Sequence, residues 1–309
     1  MGKGLGLYCV FLAGALAAQE SGPRVEIKPR AASASKLPDN TPRIYLDVKL
    51  VLVPVSVTDK MDRPIRGLQK EHFRIKDEGE EQEITTFSSE DAPVSVGVVF
   101  DASSSMQGAK MKDSRAAVDR FLDTAMPEDE FFLLKFNDRP EQLSSFTTDT
   151  EDIRGLLRGV YATGWTALLD ALYTGVQGMR KAGNSRKALL VLSDGGDNNS
   201  RYSEPEIKDL VRESDVRIFA ISIQDGSRLL KSLATESGGR AFRVRKLKQL
   251  EEVIAKVSAD MRSQYVLGYT PKKLQANGKY HKVKVEITPP PGAPRLRVAW
   301  KRGYYAPAN

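Results

Sequence analysis

Pro93-Val94-Ser95-Val96-Gly97-Val98-Val99-Phe100 is an apolar run that stops at Asp101-Ala102-Ser103-Ser104-Ser105, a carboxylate followed by hydroxyls. An apolar stretch of this length with no polar alternation predicts a strand covered on both faces, as in a parallel sheet between helices. The polar cluster then falls at the carboxyl end of that strand. Open α/β sheets bind their ligands just beyond that edge.

The pattern on either side supports this reading. Downstream, helical and strand periods alternate. A helix is expected over 110–125, with Met111, Ala117, Val118, Phe121 and Leu122 on its apolar face, and a strand over 130–136. A short helix from 153, a helix over 166–181, a strand over 187–192, a helix over 204–212 and a strand over 216–223 follow. A helix over 229–237, a strand over 241–244 and a helix over 248–261 complete the series. The class is α/β, and the domain over 91–263 is doubly wound, with a mostly parallel sheet.

Outside these limits the period changes to two. Val53, Val55 and Val57 alternate in a long β-rich stretch from Ile44, which Pro54 would bend; 73–77 and 82–87 are further strands, with a hairpin turn at Glu78-Gly79-Glu80-Glu81. Strands return over 264–269, 280–288 and 295–300, and Gly303-Tyr304-Tyr305 follows. Three strands alone bury little surface. The two groups, 43–90 and 264–309, are therefore expected to form one small β-sandwich into which the α/β domain is inserted.

Two more polar clusters fall at the same sheet edge as Asp101. The apolar run Ala188-Leu-Leu-Val-Leu-Ser193 ends in Asp194-Gly195-Gly196-Asp197, where the glycines permit a tight turn, and Thr163-Gly164-Trp165-Thr166 immediately precedes a helix. Asp101, Ser103, Ser105, Thr166 and Asp194 would together offer hard oxygen donors without sulfur or imidazole. That donor set suits Mg²⁺, or Mn²⁺ or Ca²⁺, better than zinc or copper. Two carboxylates against a divalent charge leave room for one more, from a partner's Asp or Glu. Thr163 competes with Thr166 for the same role. Asp197 is expected to be a turn residue, and Trp165 either an exposed anchor for a partner or a side chain packed under its loop.

These three pieces, Asp101-Ala-Ser103-Ser-Ser105, Thr166 in Gly-Trp-Thr-Ala-Leu, and Asp194 in Leu-Ser-Asp-Gly-Gly-Asp, resemble the metal-ion-dependent adhesion site of von Willebrand factor A domains. The resemblance implies a Rossmann-like fold in which the serines and the threonine ligate the metal, and the aspartates bind directly or through water. It favours Thr166, because Ala-Leu-Leu-Asp-Ala-Leu follows it at once. Val55–Asp59, Asp77-Glu-Gly79, Tyr265–Pro271 and Arg302–Pro307 further resemble the bacterial, Acidobacteria-type family related to these domains.

The 309 residues are 40% hydrophobic and 28% charged, which is globular composition for about two domains. The net charge of +7 is scattered among acids, and no nucleic-acid motif accompanies it. No Gly-x-x-x-x-Gly-Lys loop or Gly-x-Gly-x-x-Gly follows the first α/β strand, so nucleotide binding is not expected. His72 and His281, each read in a β segment, have no triad partner. Lys3, the apolar run from Leu5 to Ala17 and the small-x-small site Ala15-Leu16-Ala17 read as a cleavable secretory signal over 1–18, followed by a flexible linker over 19–42. Cys9 is the one cysteine, so the mature chain would carry no disulfide; the apolar run is short for a membrane span, an uncleaved anchor being the alternative, and no span is expected in the mature chain.

The expectation is a secreted or periplasmic, non-enzymatic module that binds a protein partner through its metal. The alternatives are an envelope scaffold in which the metal only stabilises loops, and a metal-dependent hydrolase, for which Asp197 is the one unassigned candidate base.

Overall fold

The computed structural model describes residues 50–89, 91–194, 196–223, 226–246, 249–273, 277–292 and 295–307. The expected signal peptide, the linker, Cys9, residues 43–49 of the first β stretch and Gly195 of the second turn lie outside the described residues.

A six-stranded sheet forms the centre. Its strands are β5 (Val94–Asp101), β6 (Glu130–Phe136), β7 (Pro140–Gln142), β8 (Arg186–Ser193), β9 (Val216–Ile223) and β10 (Arg240–Val244), in the order β10-β9-β8-β5-β6-β7. All neighbours are parallel except β6 and β7. The apolar run Val94–Phe100 is β5, which with Asp101 is buried at every position. Its side chains alternate between two cores because a strand has period two. Val94, Val96, Val98 and Phe100 pack with α1 (Ala109–Leu122), α2 (Thr150–Arg158) and α6 (Leu250–Arg262). Val99 packs on the other face with α3 (Leu168–Gly178), α4 (Glu204–Glu213) and α5 (Arg228–Ser237). Covering both faces of a parallel sheet is what makes its strands read as unbroken apolar runs.

The chain leaves β5 through α1 to β6 on one side and later returns with β8 on the other. β5 is therefore the point where the winding reverses, and its carboxyl end faces a crevice. Phe100 stands opposite Leu192, so Asp101 and Ser193 are level at that edge.

The remaining strands make two four-stranded sheets, each mixing segments from both ends of the described chain. The first has the order β13-β1-β11-β4: β1 (Val51–Thr58), β4 (Thr86–Ser88), β11 (Tyr265–Tyr269) and β13 (Arg297–Trp300). The second has the order β14-β12-β2-β3: β2 (Phe73–Asp77), β3 (Glu80–Gln82), β12 (Tyr280–Ile287) and β14 (Gly303–Tyr305). Val53, Val55, Val57, Phe73, Ile75, Leu267, Tyr269, Val283 and Val285 fill the space between them. Pro54, which cannot donate a ladder hydrogen bond, faces Val266 of β11; pairing of β1 with β13 starts only at Val55.

Three expectations differ in detail. The single strand over 82–87 is two strands in different sheets, because the chain crosses between sheets around buried Ile84. The hairpin turn is the pair Glu78-Gly79, with φ of 47° and 86°, the left-handed backbone of a two-residue hairpin. His72 sits in a 3-10 turn, Lys70–His72, ahead of β2 rather than in a strand.

The two parts meet on buried charge. Arg217, at the start of β9, donates to the Ser56 hydroxyl of β1 at 2.7 Å and to Asp260 of α6 at 3.0 Å. A side chain on Gly238, at φ 76°, would lie 2.5 Å from the Lys301 nitrogen, so only glycine lets β13 approach the end of α5. Among the described residues no helix is long and apolar enough to cross a membrane.

Candidate metal centre

Three loops meet at the edge where β5 and β8 end. The first follows β5 and tightens into a 3-10 turn, Ser104–Met106, before α1. The second runs from α2 into α3 and carries Thr163 to Thr166. The third follows β8. Backbone hydrogen bonds stitch them: Thr163 N–H to the Ala102 carbonyl (2.8 Å), Ser104 N–H to the Gly164 carbonyl (3.1 Å), and the Asn198 N–H to the Thr166 carbonyl (3.0 Å). Gly164 takes φ 74°, and an added Cβ there would stand 2.5 Å from Asp138 Oδ2. That close approach lets Asp138 Oδ1 accept from the Trp165 N–H at 2.8 Å.

Asp101 is buried at the end of β5 and, like Ser103, is not among the residues that line the cleft between the loops. Its Oδ1 accepts from the Ser103 N–H at 2.9 Å, and its Oδ2 accepts from the Ser193 hydroxyl at 2.6 Å. Burial pushes the Asp101 pKa up; hydrogen bonds from Ser103 and Ser193 oppose the rise, and the neighbouring charge of Asp194 adds to it. A buried carboxylate held by neutral donors beside a second carboxylate is an environment that a cation would relieve.

Above it, the Ser103 and Ser105 hydroxyl oxygens lie 3.1 Å apart. Ser103 is buried and Ser105 exposed. Thr166 is buried, lines the cleft, and is held by its N–H on the Asn198 Oδ1 at 2.8 Å. Asp194 is half-buried and lines the same cleft with Ser105, Gly164, Trp165, Thr166 and Asn198. Thr163 is exposed, does not line the cleft, and its hydroxyl accepts from the Asn137 amide at 3.3 Å. Trp165 is 63% exposed at the rim.

Two supporting residues, Lys110 and Asp170, escaped the sequence reading. Lys110 Nζ donates to Asp194 Oδ2 at 2.8 Å from the first turn of α1. Asp170, buried in α3, holds the third loop. Its Oδ1 accepts from the Arg201 and Tyr202 N–H groups at 2.9 and 3.2 Å, and its Oδ2 accepts from Arg201 Nε at 2.9 Å. Burial alone would raise its pKa, but these donors outweigh that and hold it below the ordinary value. Asp197 is exposed. Its Oδ1 accepts from the Leu169 N–H (3.2 Å) and the Ser200 hydroxyl (2.6 Å), so it pins the loop to α3. A buried aspartate within Leu168-Leu169-Asp170-Ala171-Leu172 was the available signal for Asp170: an acid in an apolar run has to be satisfied by something.

The Ser103 and Ser105 hydroxyls are hydrogen-bonded to each other at 3.1 Å, a separation that a hard octahedral cation could also bridge. Oxygens about 2.1 Å from an octahedral ion stand roughly 3 Å apart, close to the observed hydroxyl separation. His72 and His281 both lie in the sandwich part of the chain, away from this edge.

The family model described as von Willebrand factor type A domain matches residues 95–256. Among curated proteins, inter-alpha-trypsin inhibitor heavy chain H4 of Homo sapiens is 24% identical over 239 residues, covering 71% of this chain and 24% of that one. Its Bos taurus counterpart is 26% identical over 169 residues, covering 49% and 18%. The chain thus spans a quarter or less of these relatives' length. Among solved structures, proximal thread matrix protein 1 from the mussel byssus, with its adhesion-site motif occupied by zinc, matches at a TM-score of 0.48 and 21% identity over 61% of this chain and 50% of that one. An aerotolerance-related membrane protein from Bacteroides fragilis matches at 0.46 and 16% identity, over 53% and 98%.

Proposed function

The chain belongs to the von Willebrand factor type A domain family, and from that premise we propose that it binds a partner protein through a divalent cation held at the β5–β8 edge. Asp101, Ser103, Ser105, Thr166 and Asp194 would hold the ion, with Mg²⁺ as the natural occupant and Mn²⁺ or Ca²⁺ as substitutes. The observation that carries the reading is the convergence of three separate loops on one cleft. They bring Ser105, Thr166 and Asp194 to its lining, with buried Asp101 and Ser103 beside it: the Asp194 charge acts on Asp101, and the Ser103 hydroxyl is hydrogen-bonded to that of Ser105 at 3.1 Å. The bound ion would supply Lewis acidity to an incoming oxygen.

The rest of the cleft favours an anionic visitor. α1 and α3 both begin at this edge, and helix N-termini carry partial positive charge. Trp165 stands exposed beside the opening, where an aromatic side chain gives contact area to a partner. We read the visitor as an Asp or Glu side chain, and the protein as a binding module rather than an enzyme. The chain's N-terminal apolar run and the terminal signatures around Tyr265–Pro271 and Arg302–Pro307 support a secreted or periplasmic member of the bacterial, Acidobacteria-type branch.

Calorimetry of Mg²⁺ and Mn²⁺ on the wild type and Asp101→Ala, with pull-down from an envelope fraction with and without chelator, tests this. Divalent binding lost in the variant and capture lost with chelator are expected. Capture that survives chelation would point instead to contacts made by the sandwich.

A further inference from the structure

Lys110 is the one cation that the structure sets against a carboxylate of this cleft among the described residues. Its ammonium lies 2.8 Å from Asp194 Oδ2, with the two side chains 19% and 11% exposed. A surface pair of flexible chains contributes little, but this pair is largely shielded from water, where charge acts at lower effective dielectric. The two other acids of the surrounding loops are committed elsewhere. Asp138 holds the Trp165 N–H, and Asp197 holds the Leu169 N–H and the Ser200 hydroxyl.

Asp101 and Asp194 bring two negative charges to the β5–β8 edge and Lys110 returns one. A divalent ion added to that set leaves the site about one unit positive, whereas two carboxylates alone would leave it neutral.

We infer that Lys110 is a built-in competitor for Asp194, which weakens the cation's hold until a carboxylate ligand arrives, so that metal and acidic ligand bind cooperatively. This rests on the metal reading above. The ammonium and the ion draw on the same carboxylate and repel each other. An incoming carboxylate offsets the surplus positive charge and so favours the ion's retention. Linkage then requires the converse: the ion raises affinity for the carboxylate by the same factor. Lys110 is a positioning residue in this scheme and ligates nothing itself.

The test is calorimetry of Mn²⁺ into the full chain, with and without saturating acetate as the carboxylate probe. It compares wild type, Lys110→Met, Lys110→Arg and Asp101→Ala, with thermal unfolding confirming that each variant folds. In acetate-free buffer Lys110→Met is expected to bind Mn²⁺ about tenfold more tightly than wild type, since even a partly screened unit charge a few ångströms away has that effect. Acetate should tighten Mn²⁺ binding in wild type and do so less in Lys110→Met, while Lys110→Arg keeps the charge and stays near wild type. Wild type that binds Mn²⁺ with Lys110→Met equal or weaker overturns the role of Lys110 and leaves the metal site standing. Absence of Mn²⁺ binding in both wild type and Lys110→Met, or binding that persists in Asp101→Ala, overturns the metal reading and this inference with it.

Discussion

The loop after β5 and the loop after β8 bring one carboxylate each to the same sheet edge, but they hold it in opposite ways. Asp101 is fixed from within. It is the last residue of a strand buried on both faces, it is itself buried, and its two oxygens are engaged by its own loop and by the neighbouring strand. Asp194 lies just past its strand, half-buried, and its loop is held from outside by Asp170 and Asp197 against α3. One side of the site is therefore set by sheet packing, and the other depends on polar braces several residues from the cleft. The difference separates residues whose loss removes the site from residues whose loss loosens it.

The largest expected effect is at the sealed side. Asp101→Ala should weaken divalent binding more than about 100-fold, since even changes outside the ligand set cost roughly 10- to 100-fold. It should also lower unfolding free energy by about 1–3 kcal/mol, because the Ser103 N–H and the Ser193 hydroxyl lose their acceptor. Calorimetry and denaturant melts read both.

Asp170→Asn should weaken the ion's hold about tenfold through the braced loop, without touching the cleft. A pH series gives a second reading. Because the folded Asp170 pKa is lowered, its contribution is complete above the unfolded value of about 3.9 and disappears as pH falls through the folded value. The stability difference between wild type and Asp170→Asn should therefore shrink in acid melts below about pH 4. A difference that stays constant there would assign the loss to packing instead.

Gly164→Ala probes the seam between the loops. The positive φ and the clash with Asp138 should cost about 1–2 kcal/mol in unfolding free energy and weaken divalent binding a few-fold. The smallest effect is expected from Thr163→Ala, which should leave divalent affinity within about twofold of wild type, while Thr166→Ala loses about tenfold. Equal losses in the two variants would erase the distinction between a residue on the cleft and one beside it.

The order of strands and helices was legible because two periods dominate the chain. Helical spacing fills 109–262 between strands with no polar alternation, and period-two strands flank it, so the change of architecture is written in the pattern itself. The split of 82–87 was not legible. Gln82 and Ile84 are both buried, so alternation continues while the chain changes its hydrogen-bonding partner. β7 escaped because Pro140-Glu-Gln is short and polar, a composition tolerated only at an edge. Among the candidate ligands, Asp101, Ser103 and Ser105 stand together in sequence and so could be read as a group. Lys110 could not be read with them, because one lysine in the first turn of an amphipathic helix looks like a solvated charge. Only the fold brings it to Asp194, 84 positions away.

The interleaved sheets have a consequence for how the chain acquires its structure. β1 sits between β11 and β13, and β2 between β3 and β12, so Val53 waits for Leu267 and Ile75 for Val285. During synthesis the first described strands emerge with apolar faces and open edges, and most of their partners follow only after the α/β domain has been made. Such late, sequence-distant pairing is slow, and unpaired edges invite association with other chains. Strand β1 thus waits for both of its neighbours, whereas β2 has β3 early and waits only for β12, and a truncation that removed β11 to β14 would leave β1 without either neighbour.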